Sequence, residues 1–365
     1  MAGRRQRKVD HISPLPDAVI HHIFSFLPFK DVIKTSVLSK QWRFAWTFTP
    51  YIDASLSSKG VVPSISRALS LRTATEIEKF HLDASSMPDS YISWELNRCF
   101  GFAVARKVKD ASLVFGRSTE HIPRILCDCA SLVSFRVSGC YLPKDTTINW
   151  PSLKKLCIHD AWLNDDQIMK ILNGCPVLES LKLRPLRMLS NLQIDSRSLR
   201  ELVIESDGLS TIDISAPDLF SLRFSGGFFK NKDFPELYDF DEKQFWPSQK
   251  EFHCVANHLK SVEIIGLEFN CENSKILLAL AKFLLKEAVG LEKITIDAEL
   301  RMSRQGVTID PRDLRDFHDV IQLQKGSRRA SRKAEVIVKY RFNGPRYELR
   351  KHKQNTGTQS IPRFA

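Results

Sequence analysis

A six-residue template, apolar-x-x-apolar-x-apolar, recurs eleven times along this chain and leaves few folds open to it. It starts at Ile77, Val108, Leu132, Leu153, Leu178, Leu189, Leu199, Leu209, Leu219, Leu259 and Leu291. The last three residues of each unit alternate apolar, polar, apolar, as a short half-buried strand requires. The starts are separated by 31, 24, 21 and 25 residues, then 11, 10, 10 and 10, then 40 and 32. A unit of this size cannot bury its own apolar face, so neighbours must stack on one another and share a continuous core.

The unit at Leu132 continues through Cys140 and Leu142 and so fills the longer pattern L-x-x-L-x-L-x-x-N/C-x-L of a leucine-rich repeat. Cys140 is therefore expected as a buried repeat residue and not as a nucleophile. The ten-residue steps pair to about one turn, from Leu178 to Leu199 to Leu219. No helix fits in ten residues. The strands at Leu199 and Leu219 are expected to continue the principal sheet, with those at Leu189 and Leu209 on the opposite wall. Longer steps leave room for helices. Residues 164–174 offer Asn164 as a cap with Gln167 three residues on, then Ile168, Ile171 and Leu172 on one face and Gly174 as a stop. Residues 274–288 form a longer helix with Ile276, Leu277, Leu280, Phe283 and Leu284 inward.

A different period governs residues 14–46. Leu15, Val19, Ile23 and Leu27 recur every four residues, with Ile20 and Phe24 beside them, which predicts an amphipathic helix. Pro16 suits its first turn and Asp17 the positive end of its dipole. Pro28 ends it and opens a second helix with Val32, Ser36 and Val37 inward. Ser39 caps a third that carries Trp42 and Trp46 at i, i+4. Three helices in about 40 residues are too few to bury that many apolar groups. The surplus either packs on the rest of this chain or docks a partner.

Leu15-Pro16, the Phe26-Leu27-Pro28-Phe29-Lys30-Asp31 junction and the run from Ser36 to Arg43 resemble an F-box in its plant form, over residues 12–50. Gln41 departs from the basic residue common there, and Phe44-Ala45 from an aromatic-Leu pair. The resemblance implies binding to a Skp-type adaptor and, through it, a cullin. The matching positions are Leu15, Pro16, Ile20, Ile23, Leu27, Pro28, Val32, Leu38, Ser39 and Trp42. Which of them touch the adaptor and which build the module's own core is not separable from sequence. Residues 246–297 resemble the FBD region that closes many plant F-box/leucine-rich-repeat proteins; physically this is one strand–helix–strand turn able to cap a solenoid.

The net charge of +12 invites a nucleic-acid reading until it is divided. Residues 1–10 hold four basic residues and one acid, and residues 321–365 hold twelve and two. The other 310 residues sum to −1, so the body has no global field to steer a polyanion. Arg328, Arg329, Arg332 and Lys333, with Arg4, Arg5, Arg7 and Lys8, read first as solvated charge. Lys325 to Ala334 reads as a linker. After it Val336, Val338, Tyr340 and Phe342 alternate, and Asn343-Gly344 invites a hairpin returning through Tyr347 and Leu349. Residues 226–246 interrupt the repeats with seven aromatics; they either seal a step between coils or form a recognition loop.

The eight cysteines are scattered and include no Cys-x-x-Cys pair. They read as small buried hydrophobes in a reducing compartment, the cytoplasm or the nucleus. No apolar run reaches the length a membrane helix needs, and MAGRRQRK is not followed by an apolar segment. His253, Cys254 and His258 lack a fourth ligand at a zinc spacing. Phosphate-loop, dinucleotide, zincin and nucleophile-elbow motifs are missing from the sequence, so no cofactor and no catalysis of its own is expected.

The expected fold is α/β: a three-helix F-box, then a curved leucine-rich-repeat solenoid with parallel strands on the concave face and helices or strands on the convex side, closed by an αβ cap. The expected boundaries are a basic tail at 1–11, the F-box at 12–50, repeats at 70–245, the FBD-like cap at 246–300 and a basic linker with a possible hairpin at 325–365. The expected role is the substrate-recognition subunit of a Skp–cullin–F-box ubiquitin ligase. Strand position offers Arg136, Lys182, Glu201 and Arg223 as target-binding residues. The alternatives are a non-ligase repeat scaffold and a nucleic-acid-binding protein acting through its basic tails.

Overall fold

The computed structural model describes residues 10–56, 61–86, 89–116, 121–143, 145–205, 209, 211–225, 258–268, 272–301, 318, 320–323 and 330–343. All eleven template units become strands, and all three apolar positions of every unit are buried. Two further strands flank them. In chain order the strands are β1 (Tyr51–Ser55), β2 (Lys79–Ala84), β3 (Asp110–Phe115), β4 (Ser134–Ser138), β5 (Lys155–His159), β6 (Ser180–Leu183), β7 (Asn191–Asp195), β8 (Glu201–Glu205), β9 (Thr211–Ser215), β10 (Ser221–Ser225), β11 (Ser261–Glu268), β12 (Lys293–Arg301) and β13 (Glu335–Asn343).

Eleven strands form one sheet in the order β1-β2-β3-β4-β5-β6-β8-β10-β11-β12-β13, parallel throughout. β7 and β9 pair with each other in a separate two-stranded sheet. This is the arrangement the ten-residue steps require: alternate units advance the main sheet and the units between them line the opposite wall. Elsewhere helices take that wall: α4 (Val61–Ser70), α5 (Asp89–Ala105), the single turn α6 (Arg124–Cys127), α7 (Asp165–Asn173) and α8 (Glu272–Glu287), preceded in the N-terminal module by α1 (Asp17–Phe24), α2 (Phe29–Lys34) and α3 (Trp42–Ala45). The core lies between the layers. Phe80 of β2 meets Phe100 of α5 edge-on at 5.1 Å, and Phe135 of β4 meets Trp150 at 5.3 Å. The buried Trp150 indole donates to the Leu126 carbonyl at 2.6 Å, so its polar atom is satisfied inside the core.

The coils stack tightly at the strand ends. Gly139 follows β4 with φ +69°, and a Cβ there would stand 2.7 Å from the Gly116 carbonyl of the coil before it. Only glycine allows that approach. The same place after β5 holds Asp160 at φ 48°, a residue type that tolerates the left-handed region. α7 carries the expected capping box: Asn164 Oδ1 accepts from the Gln167 amide at 2.9 Å, and Gln167 Oε1 accepts from the Asn164 amide at 3.1 Å.

The C-terminal end departs in part from the expectation. The alternation from Val336 to Phe342 does form a strand, β13, which adds to the parallel sheet beside β12, pairing from Lys293↔Glu335 to Arg301↔Asn343. Ser331 and Ala334, expected in a linker, are buried. With Val336 they fill the same template in small residues. Residues 324–329 and the returning strand through Tyr347 and Leu349 lie outside the described residues, as do the N-terminal basic residues and the aromatic segment 226–246. The sheet also starts earlier than residue 70, because Thr49, Ile52 and Ala54 build a polar-headed unit whose Thr49 is fully buried.

Candidate functional site

Two surfaces stand out, one on the N-terminal module and one on the open face of the long sheet. The module comprises α1 (Asp17–Phe24), α2 (Phe29–Lys34), a tight turn at Thr35–Val37 and α3 (Trp42–Ala45). Ile20, Phe24, Val32, Trp42 and Ala45 make its small core, with Leu15, Ile23, Leu27 and Trp46 packed at the edges. Phe24 and Trp42 meet edge-on at 5.6 Å, and the Trp42 indole donates to the Ile12 carbonyl at 3.2 Å. Ser39 Oγ accepts from the Trp42 amide at 3.4 Å, but α3 starts later than expected, and the residue at its cap is Gln41, whose side chain makes no capping bond.

Both fates expected for the surplus apolar groups occur. Phe29, with Ile33 and Trp46 at its margin, joins the solenoid core and not the module's own. Arg72, buried in the loop after α4, locks this junction. Its guanidinium donates to the Trp46 and Thr49 carbonyls and lies over the Phe29 ring at 5.5 Å. The remaining groups face outward. Seven of the fourteen large apolar side chains exposed among the described residues fall in residues 12–48, about a tenth of the chain. They are Ile12, Val19, Phe26, Val37, Leu38, Phe44 and Phe48, and Val37 is 86% exposed. Such a concentration of exposed apolar side chains makes this module a candidate interaction surface.

The structure thus sorts the ten matching positions. Ile20, Val32 and Trp42 are buried in the module; Leu15, Ile23, Leu27 and Ser39 are half-buried; Pro16, Pro28 and Leu38 are exposed. Val37, expected inward with Val32, points out instead. α2 ends at Lys34 and the chain tightens through Thr35–Val37, so the 3.6-residue period that placed Val37 on the inner face no longer applies. Phe26 was hidden in the sequence by its place two residues after the buried Phe24, on the other side of the helix end.

The four strand-face candidates share the sheet face opposite the helical layer. β-register puts Arg136, Lys182 and Arg223 in one row with His81, Ser112, Cys157, Val203, Glu263 and Thr295. Glu201 lies in the adjoining row with Asp110, Ser134, Lys155 and Ser180. The face largely neutralises itself. Lys182 pairs with Glu201 at 2.9 Å and Arg223 with Glu263 at 2.5 Å. Arg184 stands 3.7 Å from Glu205, and His81 the same way at 3.6 Å from Asp110. Burial raises the pKa of Glu201, but hydrogen bonds from Ser180 and Lys182 outweigh it and hold the carboxyl below its ordinary range. Asp110 behaves alike, with burial opposed by the His81 hydrogen bond. Arg136 is exposed and joins none of these pairs.

Four of the described thiols are held in the protonated form. Burial pushes Cys99 up to about 11, Cys127 and Cys175 up to about 12, and Cys140 higher still. A cavity of about 340 Å³ between the end of α7 and the residues after β7 is lined by Cys175, Leu178, Ile194, Asp195, Arg197 and Ser198 among others. No group of His, Cys, Asp and Glu among the described residues is arranged to hold a metal ion, and no described helix is long and apolar enough to cross a membrane. His253 and Cys254 lie outside the described residues, and His258 Nδ1 sits 2.7 Å from the Pro217 carbonyl.

Two families match this chain. The F-box domain matches residues 12–50, and the LRR repeats of FBD-associated F-box protein At5g56370 match residues 96–234. Among whole proteins, F-box/LRR-repeat protein 25 of Arabidopsis thaliana is 35% identical over 229 residues, which are 60% of this chain and 86% of that protein. F-box/LRR-repeat protein At5g02910 of the same plant is 32% identical over 59% of this chain and 48% of its own length. FBD-associated F-box protein At4g13985 is 29% identical over 60% of this chain and 52% of its own. The chain spans about half the length of the latter two.

Proposed function

Because the chain belongs to the F-box/leucine-rich-repeat family, we propose that it is the substrate-recognition subunit of a Skp–cullin–F-box ubiquitin ligase. The observation that carries this reading is the concentration of exposed apolar side chains on a module whose inner side is already satisfied by the solenoid. The accessible members of the F-box set, Leu15, Pro16, Ile23, Leu27, Pro28, Leu38 and Ser39, together with Phe26 and Val37, form the adaptor-facing surface. Ile20, Val32 and Trp42 act from inside by holding the helices that present it.

The strand face holds the target protein. The chain itself performs no bond chemistry. It raises the effective concentration of target beside a ubiquitin carrier, and the rigid junction at Arg72 keeps the two ends at a fixed spacing. The complex works in the cytoplasm, the nucleus or both.

The test is co-expression of the full chain with a plant Skp-type adaptor, followed by size-exclusion chromatography. The wild type is expected to co-elute. A Phe26→Ser, Val37→Ser, Leu38→Ser variant is expected to lose the adaptor while keeping a cooperative melt, since these side chains pack little against the module's own core. A wild-type chain that stays monodisperse and never co-elutes with any Skp-type adaptor would overturn the proposal and favour a free-standing scaffold.

A further inference from the structure

We infer that Arg136 marks the point on the strand face where the target docks through an acidic, carboxylate-rich segment; this rests on the reading that the strand face holds a target. The argument starts from how the other bases of that row are neutralised. His81 on β2 and Lys182 on β6 each find a carboxylate on the next strand of the sheet, two residues before their direct register partner: Asp110 on β3 and Glu201 on β8. Arg223 on β10 finds Glu263 directly opposite on β11.

Arg136 on β4 has neither. Its direct partner on β5 is Cys157, and the position two residues earlier, where the other strands carry an acid, holds Lys155. On its other side the direct partner is Ser112, and the nearby Asp110 is already engaged by His81 and Ser134. Like charges on neighbouring strands of an exposed face are destabilising unless something compensates them. Among the described bases of this row Arg136 therefore lacks the paired carboxylate that His81, Lys182 and Arg223 have; Arg136, Lys155 and His159 are exposed beside one another, and Lys155 feels Glu201 only at longer range.

The ground around Arg136 is low. Its neighbours within and across the strands, Ser112, Ser134, Ser138 and Cys157, are short, so a guanidinium rises over a floor of small polar groups and its fork is open to a partner. Arginine takes a carboxylate by two parallel hydrogen bonds. The positive groups are spread over adjacent strands about 4.8 Å apart and do not converge on one point. That spacing suits several singly charged carboxylates along an extended chain better than one doubly charged phosphate.

The experiment uses the full chain purified with its adaptor and a fluorescein-labelled octaglutamate peptide, read by fluorescence anisotropy at low salt. Octaglutamine and an octapeptide alternating phosphoserine with glycine serve as comparison probes. Octaglutamate is expected to bind and octaglutamine not to bind. Arg136→Gln is expected to weaken octaglutamate binding about tenfold and Lys155→Gln by a smaller factor. Lys293→Gln, an exposed change on β12, is expected to alter it less than about twofold. Equal binding by the wild type and Arg136→Gln overturns the inference, as does binding of the phosphoserine peptide alone. Adaptor co-elution is scored on the same samples: its loss with octaglutamate binding intact strikes only the ligase reading, and the converse strikes only this one.

Discussion

The guanidinium of Arg72 donates to the carbonyl of Trp46 at 2.8 Å, and through that bond the first coil of the solenoid grips the last turn of the N-terminal module. Arg72 is 4% exposed, and burial pulls its proton affinity down to about 10, so it stays charged at neutral pH. Its charge is met by two carbonyls and the face of Phe29. Removing it leaves buried carbonyls without a donor, a loss of about 1–3 kcal/mol each in such settings. Arg72→Met is expected to lower stability by about 2–4 kcal/mol. Arg72→Lys is expected to recover only part of this, because one ammonium cannot reproduce the fork. Chemical denaturation of the three proteins checks the order.

The capping box of α7 gives a smaller and cleaner test. Asn164 and Gln167 satisfy each other's backbone amides at the helix start. Asn164→Ala is expected to cost about 1 kcal/mol, and Asn164→Ser to restore most of it. Equal midpoints for the wild type and the alanine variant in urea melts would show the box to be idle.

Much of this architecture was legible because repetition multiplies a weak signal. One apolar-x-x-apolar-x-apolar unit says little, but eleven of them placed every strand from β2 to β12. The ten-residue steps even assigned β7 and β9 to the second wall, since a helix needs more chain than that. β1 escaped because its unit is written as Thr49, Ile52 and Ala54, while β13 showed only through the alternation from Val336 to Phe342 and not as a repeat unit, which is written as Ser331, Ala334 and Val336. α5 escaped because Gly101 and Cys99 dilute its pattern, although Leu96, Phe100 and Ala103 are all buried. On the strand face, period-two alternation correctly put Arg136, Lys182, Glu201 and Arg223 on one side. That Lys182 pairs with Glu201 was not legible, because the template says which strands are neighbours but not that a side chain reaches across to the residue two before its register partner.

Thiol chemistry should follow burial. Cys157 is half-buried on the strand face, whereas Cys99, Cys127, Cys129, Cys140 and Cys175 are buried. Burial also keeps the Cys99, Cys127, Cys140 and Cys175 thiols protonated. Under native conditions iodoacetamide is expected to label Cys157 before any of those five, and mass-spectrometric mapping of the time course checks it. Faster labelling of Cys140 would mean that the coil around Leu132 opens locally.

The pair between Lys182 and Glu201 makes a prediction about acid. The Glu201 carboxyl is held below its ordinary value of 4.5 despite partial burial, by hydrogen bonds from Ser180 at 2.6 Å and from Lys182. Between the lowered value and 4.5 the unfolded chain binds a proton that the folded chain does not, so stability rises with pH across that window. The contribution is complete above about pH 5 and disappears as the pH falls through the folded value. Because the pair is more than one-third exposed, solvent screening keeps it to about 0.2–1 kcal/mol. Glu201→Gln is therefore expected to be slightly less stable than the wild type at pH 7, and the difference is expected to shrink toward zero near pH 3. Urea denaturation at pH 7, 5, 4 and 3 measures the difference directly. A gap that widens in acid would mean that protonated Glu201 still accepts from Ser180 more strongly than an amide does, and the electrostatic account of this pair would fall.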